Sequence, residues 1–454
     1  MGSIDPRPGY PIVSRFAAIA LFFGTLLVFF VPPIQPPDED SHFTKTMTLW
    51  LGGKTDKTLV PKSLLAWVDS HRYLNGNAME RYSYKVWYED SHLNRIVTEP
   101  RVHHKYSGQN ISPLMYAPSL TGVAVGRLLY LGSPLFNYPA ALYFGRLGNL
   151  LFYVGGVCLV LLLTPAFRVS IAFLALTPVS LHVAAAVHYD ALTLVPGLLL
   201  LAVFLRRTYA PSGDDRFWVS IICLCLLLLA NGKVVYLPLA LPVVLLLNWR
   251  RVGATARCVA CMALSVIVGA LLNPQFHSVG GAEGDVVKEQ VLYAASHPLA
   301  FAQTIISSLE RFGDFYAVSA FGVLGSLDTN FSLPIVVLIT VSTIAIFLVE
   351  AVCNRYHTPL TMRAAFVAAS VLSVVGFMGA TYAIWTSRSV GVGGSYVDGV
   401  QGRYFLPILP FILIALMPRF GRPRFAPKIA PGVFFIATIF LTQTILVVFL
   451  RFWI

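Results

Sequence analysis

The chain has 454 residues, of which 56% are hydrophobic and only 12% charged, with a formal net charge of +12. An ordinary soluble domain carries about 25% charged residues, so this composition excludes a water-soluble globule. The arginines fall in short clusters between apolar runs, which points to positive-inside sorting in a lipid bilayer and away from nucleic acid.

The expected architecture is all-α and polytopic, with about 11 to 12 transmembrane helices of about 20 residues each. These form a single membrane domain over 1–454, with two large extracytoplasmic loops at 32–111 and 273–332. The first apolar run, Phe16 to Val31, ends in Pro-Pro with no small-residue cleavage site, so it reads as a retained span and not a signal peptide. The first loop then opens on Pro36-Pro37-Asp38-Glu39-Asp40-Ser41-His42. Acids placed where a helix leaves the hydrocarbon either start the helix that follows or supply a general base whose pKa partial desolvation raises. Phe43, Met47, Trp50 and Leu51, and then Leu64, Leu65 and Val68, recur at helical spacing and predict short surface helices. The stretch 73–106, rich in Asn, Tyr and His and including His103 and His104, suits an irregular binding loop.

The run Pro113 to Leu131 contains Pro113, Pro118, Gly122, Gly126 and Arg127. It reads as an amphipathic or re-entrant helix, because the loop before it already lies outside. Tyr143 to Leu163 descends from Arg146 on the outer side to Arg168. His182, on an apolar face, reads as a packing histidine. His188, Tyr189 and Asp190 precede the span Leu192 to Leu205 and fall at the outer surface. With the first-loop acids they could coordinate a metal, but no spacing is diagnostic and a polar turn accounts for them equally.

The clusters Arg206, Arg207 and Arg216; Arg250, Arg251 and Arg257; Arg355 and Arg363; and Arg419, Arg422, Arg424 and Lys428 face the cytoplasm. Phe217 to Ala230 therefore rises, Val234 to Leu247 descends, and Cys258 to Leu272 rises into the second loop. Leu333 to Val349 returns, Ala364 to Ile384 and Tyr404 to Met417 form another pair, and Pro431 to Phe449 rises last, leaving the C-terminus outside. Cys258 and Cys261, a C-x-x-C pair without partner ligands, read as buried small residues, and none of the six cysteines implies a disulfide framework. Lys233 occupies a tight outer turn where positive charge is disfavoured, so it either answers a bound anion or snorkels. Arg403 enters a span from the same side, with a guanidinium suited to bidentate phosphate binding.

The motif Pro-Pro-Asp-Glu-x-x-His at 36–42 resembles that of a bacterial membrane-protein family related to the GT-C glycosyltransferases. Other stretches agree with that family in order: Ser112 to Pro118 with Tyr116, Gly145-Arg146-Leu147-Gly148-Asn149, the segment from Leu176-Thr177-Pro178 to Tyr189-Asp190-Ala191-Leu192, Lys233-x-x-Tyr236-x-Pro238, and Gly399-Val400-Gln401-Gly402-Arg403-Tyr404-Phe405-Leu406-Pro407. Each is weak alone, but the ordered set covers most of the chain. The resemblance implies an inverting glycosyltransferase of the bacterial cytoplasmic membrane, facing the exterior. Its donor would be a polyprenyl-phosphate sugar, and its acceptor an extracytoplasmic glycan or glycolipid such as O-antigen. Asp38 matches the catalytic acid, with Glu39 beside it. His42, His103, His104, Tyr116, Arg146, His188, Asp190, Lys233, Tyr236, Gln401, Arg403 and Tyr404 are the candidate substrate-binding residues. No cofactor is required by such chemistry and no metal ligand set is expected, although Asp40 adds a third carboxylate and leaves open both the identity of the base and the help of a divalent ion. His103-His104 has no counterpart in the family pattern. A polysaccharide polymerase or ligase, or a transporter or flippase, is the alternative; a transporter predicts mid-span charges and internal duplication, neither of which is evident.

Overall fold

The computed structural model describes residues 9–52, 59–77, 79–93, 96, 101–104, 111–131, 133, 136–211, 215–247, 250–273, 282–354, 357–417 and 429–454. Arg355 and the basic cluster Arg419 to Lys428 lie outside these residues. In chain order the helices are α1 Tyr10–Phe30, α2 Glu39–Trp50, α3 Lys62–Asp69, α4 Tyr84–Leu93, α5 Ala117–Leu129, α6 Tyr138–Leu163, α7 Arg168–Ala175, α8 Pro178–Ala184, α9 Ala191–Tyr209 and α10 Asp215–Asn231. There follow α11 Val252–Leu271, α12 Ala282–Ser296, α13 Pro298–Phe321, α14 Leu333–Asn354, α15 Leu360–Thr381, α16 Ser387–Ser389, α17 Leu409–Leu416 and α18 Ala430–Phe452. The protein is an all-α polytopic membrane protein: α1, α6, α9, α11, α14, the continuous α15–α16 segment and α18 are seven helices long and apolar enough to cross a bilayer.

Four further passages run between the same two ends by other means. The pair α7–α8 is broken at Thr177-Pro178, α10 has 17 residues, and Val234–Leu245 is a 3-10 helix of 12 residues containing Pro238 and Pro242. The fourth is the 3-10 turn Gly402–Phe405 leading into α17. The 3-10 geometry has a physical use: at about 2.0 Å per residue, 12 residues reach roughly 24 Å, against roughly 18 Å for an α-helix.

The expected crossings thus divide into long helices and short or broken ones. Pro113 to Leu131 is no full span; a 3-10 turn, Pro113–Tyr116, feeds the 13-residue α5, which lies against α6. The two backbones touch because both sides are glycine: a Cβ on Gly122 would sit 2.0 Å from the Phe144 carbonyl oxygen, and one on Gly148 would sit 2.2 Å from that of Pro118. The first loop folds into α2, α3 and α4 with a ribbon pairing β1 (Leu59–Pro61) antiparallel to β2 (Arg101–His103). The second expected loop is mostly helical, formed by α12, α13 and the ribbon of β3 (Val323–Leu324) and β4 (Thr329–Asn330).

The core centres on α7, α8 and α9, whose residues from Val169 to Leu205 are almost all buried. On the periphery, α11 turns most of its side chains outward, so that Cys261 is exposed and Cys258 half-buried; neither is the fully buried residue expected from an apolar run. An apolar helix at the edge of a membrane bundle faces lipid, which hydropathy alone cannot tell from protein.

Candidate functional site

Four separate connections meet at one end of the bundle: the start of α2 at Asp38, the turn at 186–190 before α9, Lys233 after α10, and Arg403 before α17. Each is anchored by its own local chemistry. Asp38 sits after Pro36-Pro37 in a left-handed backbone conformation, φ 59°, and the His42 amide donates to its carbonyl oxygen, so Asp38 and His42 lie one turn apart on one face. Asp is among the few non-glycine residues that accept this conformation, and strain of this kind concentrates at functional sites. The Asn149 side-chain amide, one turn beyond Arg146 on α6, donates to the carbonyls of Ala186 and His188 at 2.7 and 2.9 Å and fixes the second connection. Gly402 seats the Arg403 turn against α13, where a Cβ would lie 2.1 Å from the Ala320 nitrogen, and its N–H donates to Ser319 Oγ.

The charges form an alternating chain. Arg403 Nη2 donates to Asp38 Oδ2 at 2.7 Å, its Nε stands 3.3 Å from Asp190 Oδ2, and Lys233 Nζ reaches Asp190 Oδ1 at 2.5 Å. Lys233 also lies over the Tyr404 ring at 4.3 Å and the Tyr189 ring at 5.2 Å. Two acids and two bases balance, so the counter-charge of Lys233 is internal: the cation expected either to answer a bound anion or to snorkel answers Asp190. Burial opposes ionisation of Asp190, but the cations Lys233 and Arg403 outweigh it and hold the carboxyl below its usual range. Asp38 differs from Asp190 in access: its side chain is 48% exposed and its Oδ1 takes no hydrogen bond among the described residues, while Arg403 is 8% exposed and its Nη1 is buried without a partner.

Beside this chain of charges stand two histidines. His42 Nδ1 is 2.8 Å from Tyr116 Oη, and its ring meets that of His188 edge to face at 4.2 Å. Burial pulls the His42 pKa down to about 4 despite Asp38 and Asp190, and burial likewise places His188 well below the ordinary histidine value. Two cavities flank Arg403. One is lined by Asp190, Lys233, Tyr236 and Leu194; the other by Pro37, His182, Leu327 and Gln401.

Several expected site residues do different work. Glu39 and Arg146 are both 0% exposed and form one structural clamp. Arg146 donates to Glu39 from Nε at 2.8 Å and Nη2 at 2.5 Å, and to the carbonyls of Val28, Val31 and Pro32. All five guanidinium hydrogens are thereby used. Glu39 also accepts the amides of Ile34 and Val187. Neither residue can meet a substrate, which corrects the catalytic role expected of Glu39 and the binding role expected of Arg146: full enclosure leaves no free lone pair or donor. Asp40 turns away to pair with the half-exposed Arg72, so Asp38 alone of the three acids faces the cluster.

His103 is exposed at the end of β2 and His104 follows it, on the ribbon and not in the cluster. Tyr236, fully buried, spends its hydroxyl on the Tyr404 carbonyl at 2.8 Å, supporting the site from behind. His182 accepts the Gly325 amide at 3.3 Å through Nε2, as a packing histidine would, yet it borders the second cavity. Asn149 and Tyr189, which the sequence offers only within the Gly145-Arg146-Leu147-Gly148-Asn149 stretch and the His188-Tyr189-Asp190 turn, contribute beyond the candidate substrate-binding residues. The position of Asn149 three residues after Arg146, on one helix face, was the available signal.

A family model described as "Predicted membrane protein (DUF2142)" matches residues 21–412. No curated protein and no solved structure matches the chain.

Proposed function

We propose that this chain, which belongs to the DUF2142 family of predicted membrane proteins, is an inverting glycosyltransferase that moves a sugar from a polyprenyl-phosphate donor to an extracytoplasmic glycan or lipid acceptor. The observation that carries the reading is the Asp38–Arg403 pair, a half-exposed carboxylate on a strained turn held by a buried guanidinium with a nitrogen to spare.

The pair suits a displacement in which charge moves by one unit. The acceptor oxygen attacks the anomeric carbon and Asp38 takes its proton; the bond from that carbon to the phosphate oxygen breaks, and the polyprenyl phosphate leaves with one more negative charge than it carried in the donor. Asp38 loses a charge as the phosphate gains one, so Arg403 can pass its pairing from carboxylate to phosphate without any net charge being buried or exposed. Lys233, held by Asp190, supplies a second cation one residue pair away. A single displacement inverts the anomeric configuration. The lipid-linked donor would reach such a site sideways from the bilayer, and the resemblance to GT-C enzymes in the ordered motifs supports the same chemistry.

Asp38→Asn tests this cleanly, because asparagine also accepts the left-handed backbone. Surface glycans of cells lacking the gene, complemented with the wild-type chain or with Asp38→Asn, are compared by mass spectrometry. The variant should accumulate in the membrane normally and lose at least about 10²-fold in transfer, the usual worth of a positioned base. Full restoration of the glycan by Asp38→Asn would refute the assignment.

A further inference from the structure

We infer that Asp38, His42 and His188 form a binding site for a divalent transition-metal ion of the zinc class. One ligand atom from each of the three lies within 4.8 Å of the others. Ligands about 2.1 Å from a tetrahedral ion stand roughly 3.4 Å apart, so a closure of at most about 1.4 Å, to which the half-exposed Asp38 side chain can contribute, completes the site. Two imidazoles and one carboxylate make a donor set that favours zinc and its neighbours over magnesium or calcium, which take oxygen.

The surroundings are built for it. Each ring already has Nδ1 engaged, His42 with Tyr116 and His188 with Asp190, which leaves Nε2 of both for an ion. The His188 Nε2 is buried without any hydrogen-bond partner, a costly state for a ring nitrogen that nothing else in the site explains. The ring's Nδ1 accepts the Asp190 amide at 3.0 Å, so Nε2 carries the ring proton; on metal binding that proton would move to Nδ1, which would exchange the amide for the Asp190 carboxylate, whose Oδ1 is 3.6 Å away. Arg403 occupies only Oδ2 of Asp38, so Oδ1 remains for the ion. Three protein ligands would leave a fourth coordination position for a phosphate or hydroxyl oxygen.

This inference rests on donor geometry and not on the transfer reading: an ion on Oδ1 beside Arg403 on Oδ2 would occupy the base that reading uses, so the two describe different states of the site, and the test needs no turnover. The full-length protein in nanodiscs is stripped with a chelator, dialysed against zinc, and its metal measured by mass spectrometry. About one tightly held zinc per chain is expected, with binding at least ten-fold weaker in His42→Ala and in His188→Ala. His103→Ala and His104→Ala, on the ribbon, should bind as the wild type does. Copper(II) loaded into the wild-type protein provides a readout without any variant: its electron paramagnetic resonance spectrum should show coupling to two imidazole nitrogens. Absence of stoichiometric zinc, an unchanged affinity in well-folded His42→Ala and His188→Ala proteins, or a copper spectrum without two nitrogen couplings would each overturn the site.

Discussion

Enclosing the Glu39–Arg146 pair takes two charges out of water, and it is tolerated because every polar atom around them is used: two contacts between the side chains, three carbonyls on the guanidinium and two amides on the carboxylate. Removing one partner of such a pair costs about 3–5 kcal/mol, because the other charge is left enclosed and alone. Glu39→Gln should therefore lower the thermal unfolding temperature of the purified protein sharply or prevent its accumulation, whereas the adjacent Asp38→Asn should not. Arg146→Lys should do the same, since an ammonium cannot reproduce five bonds in a planar fork. Wild-type stability in Glu39→Gln would mean that the clamp is not what joins α1, α2 and α6. The contrast between Asp38 and Glu39 also shows what charge in a sequence leaves unsaid: both are acids at a span end, and only the 107 residues of chain folded back to bring Arg146 onto Glu39 separate an enclosed clamp from an accessible carboxylate.

At the scale of elements, α5 is held to α6 by backbone contact. Gly122 and Gly126 recur at the small-x-x-x-small spacing that lets helices approach closely in lipid; Gly148 receives Gly122 from the other side, and Gly126 lies under the Phe144 ring. Gly122→Leu would drive a side chain into the Phe144 carbonyl and part the two helices, moving Tyr116 and hence the His42 ring that it contacts. The expected loss is at least about 1–3 kcal/mol, the cost of overpacking, read as thermal unfolding in detergent. Gly155→Leu, also on α6 but with no atom within 4 Å of the added carbon, should be tolerated; equal damage from both would mean that the close approach does not matter.

The long helices were legible because about 20 apolar residues in a row have one main solution in lipid. The helix containing Phe43 and Met47 was legible from its spacing, but its expected place on the surface is corrected: α2 is buried on almost every side, its threonines and Lys45 included. The 3-10 passage was not legible, because Val234–Leu245 is as apolar as an α-helical span and its tighter winding follows from the bundle it must reach across. The meeting of Asp38, Asp190, Lys233 and Arg403 could be read from charge alone, since alternating passages put all four at one end. That His42 and His188 meet beside them could not, because nothing in either segment fixes the rotation of the turn that Asn149 holds.

Over the whole molecule the two ends of the bundle differ in charge. The site end carries acids and bases in pairs, while the opposite end collects Arg206 and Arg207 at the close of α9, Arg216 at the start of α10, and Arg250 and Arg251 before α11. Arg168 opens α7 at that end, and Arg363 there donates to the Ala415 carbonyl. Basic residues in short connections favour the cytoplasmic side, so the site is expected to face outward. The two termini of the described bundle also lie at opposite ends: α1 begins beside Arg168, and α18 finishes at the site end, where Arg451 donates to the carbonyls of Leu74 and Asn77 and Trp453 to that of Phe30. Orientation can be tested with single cysteines placed in a chain whose six native cysteines are replaced. Asn75→Cys, exposed at the site end, should react with a membrane-impermeant maleimide on intact cells; Pro211→Cys, exposed at the arginine end, should react only after permeabilisation. The reverse pattern would place the Asp38–Arg403 pair in the cytoplasm. Nucleotide sugars are available there, so the need for a lipid-carried donor, and with it the proposed chemistry, would fall.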